Sequence, residues 1–215
     1  MGMFCGVDEA GRGSVMGPLV VGTVFVEDDS ILREMGVKDS KKLTPKARER
    51  IYAEIIDTVP FWRTVICSAE DIDRFRLEMS LNEIELRMFA DATRDSGASQ
   101  IYADCPDVNE SAFQDRLGAL CPGAEIIARH KADDTYPVVS AASIVAKVTR
   151  DRMIEDIRRE FGTDIGSGYP SDRYTMDFIE SWIKENGRAP EHTRCSWEPV
   201  RQMLSKRANT KITDW

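Results

Sequence analysis

Four carboxylates stand out by where they fall along the chain. Asp8 and Glu9 follow a short apolar run and precede a glycine-rich turn, Asp104 closes a second apolar run, and Asp133 stands just before a long, small and apolar stretch. Two adjacent acids directly after a buried strand are costly unless something binds them. Carboxylates at strand ends and helix starts point into the crevice where α/β sheets place their ligands. Gathered there, they would repel one another and raise each other's pKa unless cations offset the charge. An all-oxygen donor set, in a chain with only two histidines (His130 and His192), suits Mg²⁺ or Mn²⁺ rather than zinc. Two such ions, roughly 3.5–4 Å apart, can activate a water and stabilise a departing oxygen in phosphodiester cleavage. Taken singly, each acid is also an ordinary polar group at the end of an element. Convergence has to come from the fold.

The elements that must position these acids can be read from pattern. Residues 4–7, 19–26 and 61–67 are short apolar runs rich in β-branched residues and read as strands, with Gly11, Gly13 and Gly17-Pro18 turning the chain between the first two. Thr44-Pro45 opens a helix with Thr as N-cap and Pro at its first position, and Ala47, Ile51 and Ile55 give it an apolar stripe. Ser80 and Glu83 form a capping box for a helix carrying Leu81, Ile84, Met88 and Ala92 on one face, which Gly97 is expected to end. Residues 101–104 and 124–128 read as strands flanking an amphipathic helix through Phe113, Leu117 and Leu120. Residues 135–160 read as one long helix, buried in its first half against a sheet. Residues 171–186 and 198–207 read as two last helices. The pattern predicts an α/β fold with a mixed sheet, helices on its faces and a small C-terminal helical appendage. The expected division is residues 1–165, 166–208 and a tail at 209–215.

Composition excludes little. The chain has 215 residues, 42% hydrophobic and 31% charged, and no apolar run reaches the roughly 18–20 residues of a membrane helix. Five scattered cysteines, with no C-x-x-C spacing, argue against a disulfide framework and against a zinc ribbon. The N-terminus carries no basic leader pattern, so a cytoplasmic protein without a membrane partner is expected. The net charge of −8 speaks mildly against nucleic acid, yet six basic residues lie between Lys38 and Arg50, and Arg201, Lys206, Arg207 and Lys211 follow one another without an intervening acid.

The motifs are more specific than the composition. Asp8-Glu9-Ala10-Gly11-Arg12-Gly13 with Gly17-Pro18, Asp39-Ser40-Lys41-Lys42-Leu43, Tyr102-Ala103-Asp104, Lys131-Ala132-Asp133, the block from Ser140 to Asp151, Ser167-Gly168-Tyr169-Pro170 and Arg194-Cys195-Ser196-Trp197 occur in that order across nearly the whole chain. Together they resemble the signature blocks of ribonuclease HII, in its archaeal-like single-chain form. The mild departure is Cys105-Pro106 after the third acid, which bears on local backbone shape. The resemblance implies a ribonuclease H-like fold and an endonuclease that cuts RNA paired with DNA, and cuts 5′ to ribonucleotides embedded in duplex DNA. It implies Asp8, Glu9, Asp104 and Asp133 as the acidic tetrad holding two Mg²⁺ or Mn²⁺ ions, with Asp8 bridging both, Glu9 and Asp104 on one, and Asp133 on the other. Asp107 and Asp134 rank lower, since the motifs align on their neighbours.

A nuclease specific for ribonucleotides must sense a 2′-hydroxyl. The resemblance assigns ribose contact to Gly11, Arg12 and Gly13, and a stacking place beside the following sugar to Tyr169. Without it, the glycines read as a tight turn and Tyr169 as a half-buried loop aromatic. Lys41, Lys42, Ser140, Ser143 and Lys147 are candidate phosphate contacts. Arg194 and Trp197 read as supporting or packing residues, with Trp197 in the core. The C-terminal Asn209, Ile212 and Trp215 are similar to a sliding-clamp-binding peptide, although Ile212 and Trp215 folding back onto the protein is an equal reading. A monomer is expected. A hybrid-binding module without catalysis and another nuclease of the same fold are the competing readings, and an intact tetrad and a ribose-sensing loop speak against each in turn.

Overall fold

The computed structural model describes residues 2–37, 43–94 and 96–213, with side chains up to residue 208. Five strands form one mixed sheet in the order β3-β2-β1-β4-β5: β1 Phe4–Ala10, β2 Leu19–Val26, β3 Phe61–Cys67, β4 Gln100–Asp104 and β5 Glu125–Arg129. β1 runs antiparallel to β2 and parallel to β4, and β4 runs parallel to β5. β2 and β3 match the expected bounds. β1 does not stop at Val7 but continues to Ala10, because β2 goes on pairing with it through Asp8↔Gly22 and Glu9↔Val21 to Ala10↔Val20. Pairing with β4 ends at Val7↔Ala103. The first two acids therefore sit on the part of β1 that outruns β4.

Helices follow from caps and apolar stripes. α1 is Ser30–Glu34, and α2 Pro45–Thr58 is capped by Thr44, whose side chain accepts the N–H of Ala47. α3 Ala69–Phe75 and α4 Leu81–Thr93 begin at the side-chain caps Ser68 and Ser80. α5 is Glu110–Leu120, α6 Ala132–Thr135, α7 Pro137–Phe161, α8 Arg173–Asn186 and α9 Glu198–Thr213. α4 ends at Thr93, short of the expected stop at Gly97. α1 and α3 escape the periodicity reading because neither exceeds two turns. The long helix expected over residues 135–160 starts instead at Pro137, after a break at Tyr136 in extended conformation (φ −107°, ψ 115°). Proline drives the residue before it out of the helical region and itself fits a first helical turn. Asp133 consequently belongs to the separate turn α6.

The chain forms two compact units that interleave along the sequence. One comprises Met1–Ala10, Val20–Ile66 and Ser80–Thr149 and carries the sheet; the other comprises Gly11–Leu19, Cys67–Met79 and Arg150–Trp215. In the first, Val24, Val26, Leu32, Ile51 and Ile55 pack with Val138, Val139, Ile144, Val145 and Val148 of α7. Glycine lets α7 lie this close to the strands: a Cβ at Gly6 would come within 2.2 Å of the Val138 carbonyl oxygen, and one at Gly22 within 2.6 Å of the Ala142 oxygen. Gly6 and Asp8 share a face of β1, two residues apart, so the α7-facing side of the strand carries a carboxylate. In the second unit, Val15, Met16, Ile154, Ile157, Ile165, Ile179, Ile183 and Val200 form a separate core. Each such aliphatic side chain contributes about 1.5–3 kcal/mol when fully buried. Among the described residues, no helix is long and apolar enough to cross a membrane.

Candidate active site

Asp8 is 5% exposed, and its Oδ1 accepts the N–H of Glu9 at 2.7 Å. The Ser143 hydroxyl on α7 donates to the same carboxylate. Asp104 ends β4, and its Oδ1 accepts the N–H of Ala132, the first residue of α6, at 2.8 Å. That bond caps a turn entered through Lys131 in left-handed conformation (φ 55°, ψ 39°). Asp133 follows on α6 and is 4% exposed. The capping bond thus joins the strand that carries one acid to the turn that carries another.

Electrostatics confirm the proximity. Burial pushes the Asp8 carboxyl up to about 8 from an ordinary 3.8, and the charges of Asp104 and then Asp133 push the same way. The hydrogen bonds from Ser143 and from the Glu9 N–H oppose the shift without cancelling it. Asp104 on β4 and Asp133 on α6 therefore both act on Asp8 of β1. Glu9 leaves β1 on the opposite side and is half-buried. Among the described residues, the trio with ligand atoms all within 4.8 Å of one another is Glu160, Glu191 and His192, an exposed group in the second unit already joined by a His192–Glu160 hydrogen bond. The expected tetrad, Asp8, Glu9, Asp104 and Asp133, offers only carboxylate oxygens. The donor set is hard oxygen throughout, so Mg²⁺ or Mn²⁺ fits it. Asp107 is occupied otherwise: it accepts from the Asn82 amide and the Asn109 N–H, which hold its carboxyl below the usual range. Asp134 is exposed on α6.

The remaining candidates divide. Ser140 is fully buried and its hydroxyl donates to the Val37 carbonyl. Ser143 is half-buried and serves Asp8. Lys147 is half-buried on α7. Lys41, Lys42 and Trp215 lie outside the described residues, as do the side chains of Asn209 and Ile212, although the backbone of α9 is helical through Thr213 rather than stopping at residue 207.

The second unit holds the glycine loop and Tyr169. Gly11 has φ +91°, and its carbonyl accepts both the N–H and the hydroxyl of Ser14, closing a tight turn over Arg12-Gly13. A Cβ at Gly11 would lie 2.5 Å from both Arg150 Nε and the Pro18 oxygen, so no larger residue fits there. Tyr169 lies beneath the Arg150 guanidinium at 4.6 Å. Arg150 and Arg194 are 1% and 0% exposed. Sequence reading left Arg150 unremarked inside a motif and Arg194 with no specific task; the available signal was an arginine closing the apolar run of α7. Trp197 packs on the second core, as expected, with Arg194 over its ring at 4.9 Å.

A family profile described as ribonuclease HII matches residues 5–200. A ribonuclease HII from Methanospirillum hungatei is 45% identical over 214 residues, covering 99% of this chain and 100% of that protein. The crystal structure of the ribonuclease H2 from Pyrococcus horikoshii OT3 superposes with a TM-score of 0.90 at 40% identity, over 96% of this chain and 99% of that one. The ribonuclease HII in a structure of a PCNA:RNase HII complex from Archaeoglobus fulgidus superposes with a TM-score of 0.86 at 40% identity, over 91% and 95%.

Proposed function

The chain belongs to the ribonuclease HII family of hydrolytic nucleases, and from that premise we propose that it hydrolyses the RNA strand of RNA–DNA hybrids and cuts 5′ to ribonucleotides embedded in duplex DNA, leaving 3′-hydroxyl and 5′-phosphate ends. The observation that carries this reading is Asp8: a buried carboxyl pushed up to about 8 beside Asp104 and Asp133 is a site built for positive charge. Asp8, Glu9, Asp104 and Asp133 would hold two divalent cations, Mg²⁺ or Mn²⁺. When bound, such ions lower the pKa of a water and offset charge on a departing 3′ oxygen.

The protein's own groups set the frame. Ser143 and the Glu9 N–H hold the Asp8 carboxylate in one orientation. The Ala132 N–H does the same for Asp104. Gly11, Arg12 and Gly13, which follow Glu9 closely in the chain, present backbone to a ribose, and Tyr169 stacks against the next sugar. Lys41, Lys42 and Lys147 contact phosphates, and the Ser143 hydroxyl orients Asp8. Residues 1–165 carry the chemistry, residues 166–208 the helical appendage, and residues 209–215 dock on a sliding clamp through Asn209, Ile212 and Trp215; the enzyme works as a monomer. The relative from A. fulgidus in complex with PCNA supports the clamp reading. The test is cleavage of a DNA duplex carrying one ribonucleotide, compared with its all-DNA twin, with and without Mg²⁺. The expected result is one Mg²⁺-dependent cut at the ribonucleotide's 5′ side and an intact twin. Equal cutting of the two duplexes overturns the reading.

A further inference from the structure

Two guanidiniums buried in the second unit make no salt bridge among the described residues; Asp151 acts on Arg150 and Asp73 on Arg194 only through the field of their charge. Arg194 is fully buried; its Nε and Nη2 both donate to the Gly17 carbonyl at 3.1 Å and its Nη1 to the Arg12 carbonyl at 3.0 Å. Arg150 donates Nη2 to the Ser167 carbonyl at 3.2 Å and, weakly, to that of Met16 at 3.5 Å, while its buried Nε has no hydrogen-bond partner among the described residues. The carboxylate acting on Arg194, that of Asp73, spends its oxygens on the Cys195 and Ser196 amides and the Ser196 hydroxyl. Burial and the facing Arg150 hold Arg194 down at about 10. Burying a cation without a salt bridge is expensive, and here two are buried against main-chain oxygens, three of them in the loop Gly11–Leu19.

The arrangement settles which way that loop faces. A trans peptide is planar with its C=O and N–H opposed. With the Arg12 carbonyl turned in to Arg194, the Gly13 N–H is turned out. Gly13 is exposed, a Cβ there would meet nothing within 4 Å, and its amide has no partner among the described residues. Arginine suits the task because one planar fork spans the carbonyls of Arg12 and Gly17, which a single ammonium does not. Arg150 ties the other side, with Tyr169 stacked at 4.6 Å and Nε aimed at the bare Cα of Gly11.

We propose that Arg194 and Arg150 are positioning residues for ribonucleotide selection: Arg194 fixes the Gly13 N–H outward as a donor to a 2′-oxygen, and Arg150 sets the Tyr169 ring against the same loop. This rests on the ribose-sensing reading above. The test is the affinity of full-length protein, in EDTA, for two DNA duplexes that differ by one 2′-hydroxyl. The ratio of the two affinities does not depend on the fraction of protein that is folded. Wild type prefers the ribonucleotide duplex about fivefold or more, the size of one hydrogen bond. Arg194→Lys and Arg150→Lys bring the ratio close to one while leaving affinity for the all-DNA duplex unchanged. A retained ratio in Arg194→Lys overturns the proposal, as does a parallel loss of both affinities, which marks a merely structural role. Should Arg194→Lys not fold, Arg150→Lys decides; if neither folds, the pair is structural and the proposal falls. Wild type without any preference, and without selective cleavage in Mg²⁺, sinks the ribose-sensing reading itself. Selective cleavage by wild type with unchanged ratios in the variants sinks only the role of the arginines.

Discussion

Asp8→Asn should stabilise the metal-free protein while abolishing its activity. In the folded chain the Asp8 carboxyl is pushed from 3.8 up to about 8 by burial and by Asp104 and Asp133. A raised carboxyl pKa means that folding favours the protonated form. The associated stability is present in full below the ordinary value and is lost as pH rises through about 8. Between pH 5.5 and 8 the ionised form costs about 1.4 kcal/mol for each pH unit, or roughly 3 kcal/mol over the window. Asparagine has the same shape, can still accept from Ser143 and the Glu9 N–H, and never ionises. Asp28, Asp107 and Asp172, whose carboxyls are held low by hydrogen bonds, are ionised throughout this window and cancel in the comparison. For a chain of this length about 3 kcal/mol corresponds to a Tm change on the order of 10 °C. The assay is thermal unfolding of both proteins in EDTA at half-unit pH steps. The Tm gap between Asp8→Asn and wild type should open with pH, and excess Mg²⁺ should raise wild type more than the variant. A gap that stays flat within about a degree from pH 5.5 to 8.5 would refute the claim that Asp8 carries buried, cation-seeking charge.

Asp104→Asn keeps an acceptor for the Ala132 N–H, so its circular dichroism should match wild type while the Mg²⁺-dependent cleavage rate drops by more than about a hundredfold; near-wild-type turnover at saturating Mg²⁺ would remove Asp104 from the tetrad. Tyr169→Ala should slow cleavage at a single embedded ribonucleotide more than cleavage within a long RNA–DNA hybrid, since a stacked ring matters most where the sugar type changes, and equal losses in a two-substrate assay would leave Tyr169 a packing residue. Titrating the cognate clamp against full-length protein and against a version ending at Ala208 should give binding only to the former; the same affinity for both, or none for either, would end the clamp reading of the tail.

Much of the site could be read from residue order alone. The strands β2 and β3, the caps Thr44 and Ser80, and the glycine loop follow from local chemistry, because caps, turns and apolar runs are decided within a few residues of themselves; the choice of Asp8, Glu9, Asp104 and Asp133 rested on the motifs in which they stand. What only the tertiary structure decided depends on partners distant in sequence. That β1 carries Asp8 and Glu9 beyond β4 follows from continued pairing with β2, and the helix breaks at Tyr136, before Pro137, where the apolar pattern alone reads straight through. Ser140 and Ser143 look alike in sequence; three residues apart on α7, one is spent on Val37 and the other on Asp8. Arg150 and Arg194 would be placed on the surface by any composition rule, and are instead buried because loop carbonyls take the place of water. Charge and desolvation act through space. Their strength at Asp8 comes from how far Asp104 and Asp133 stand from it and how little water lies between, which exists only once the strands and α6 have come together.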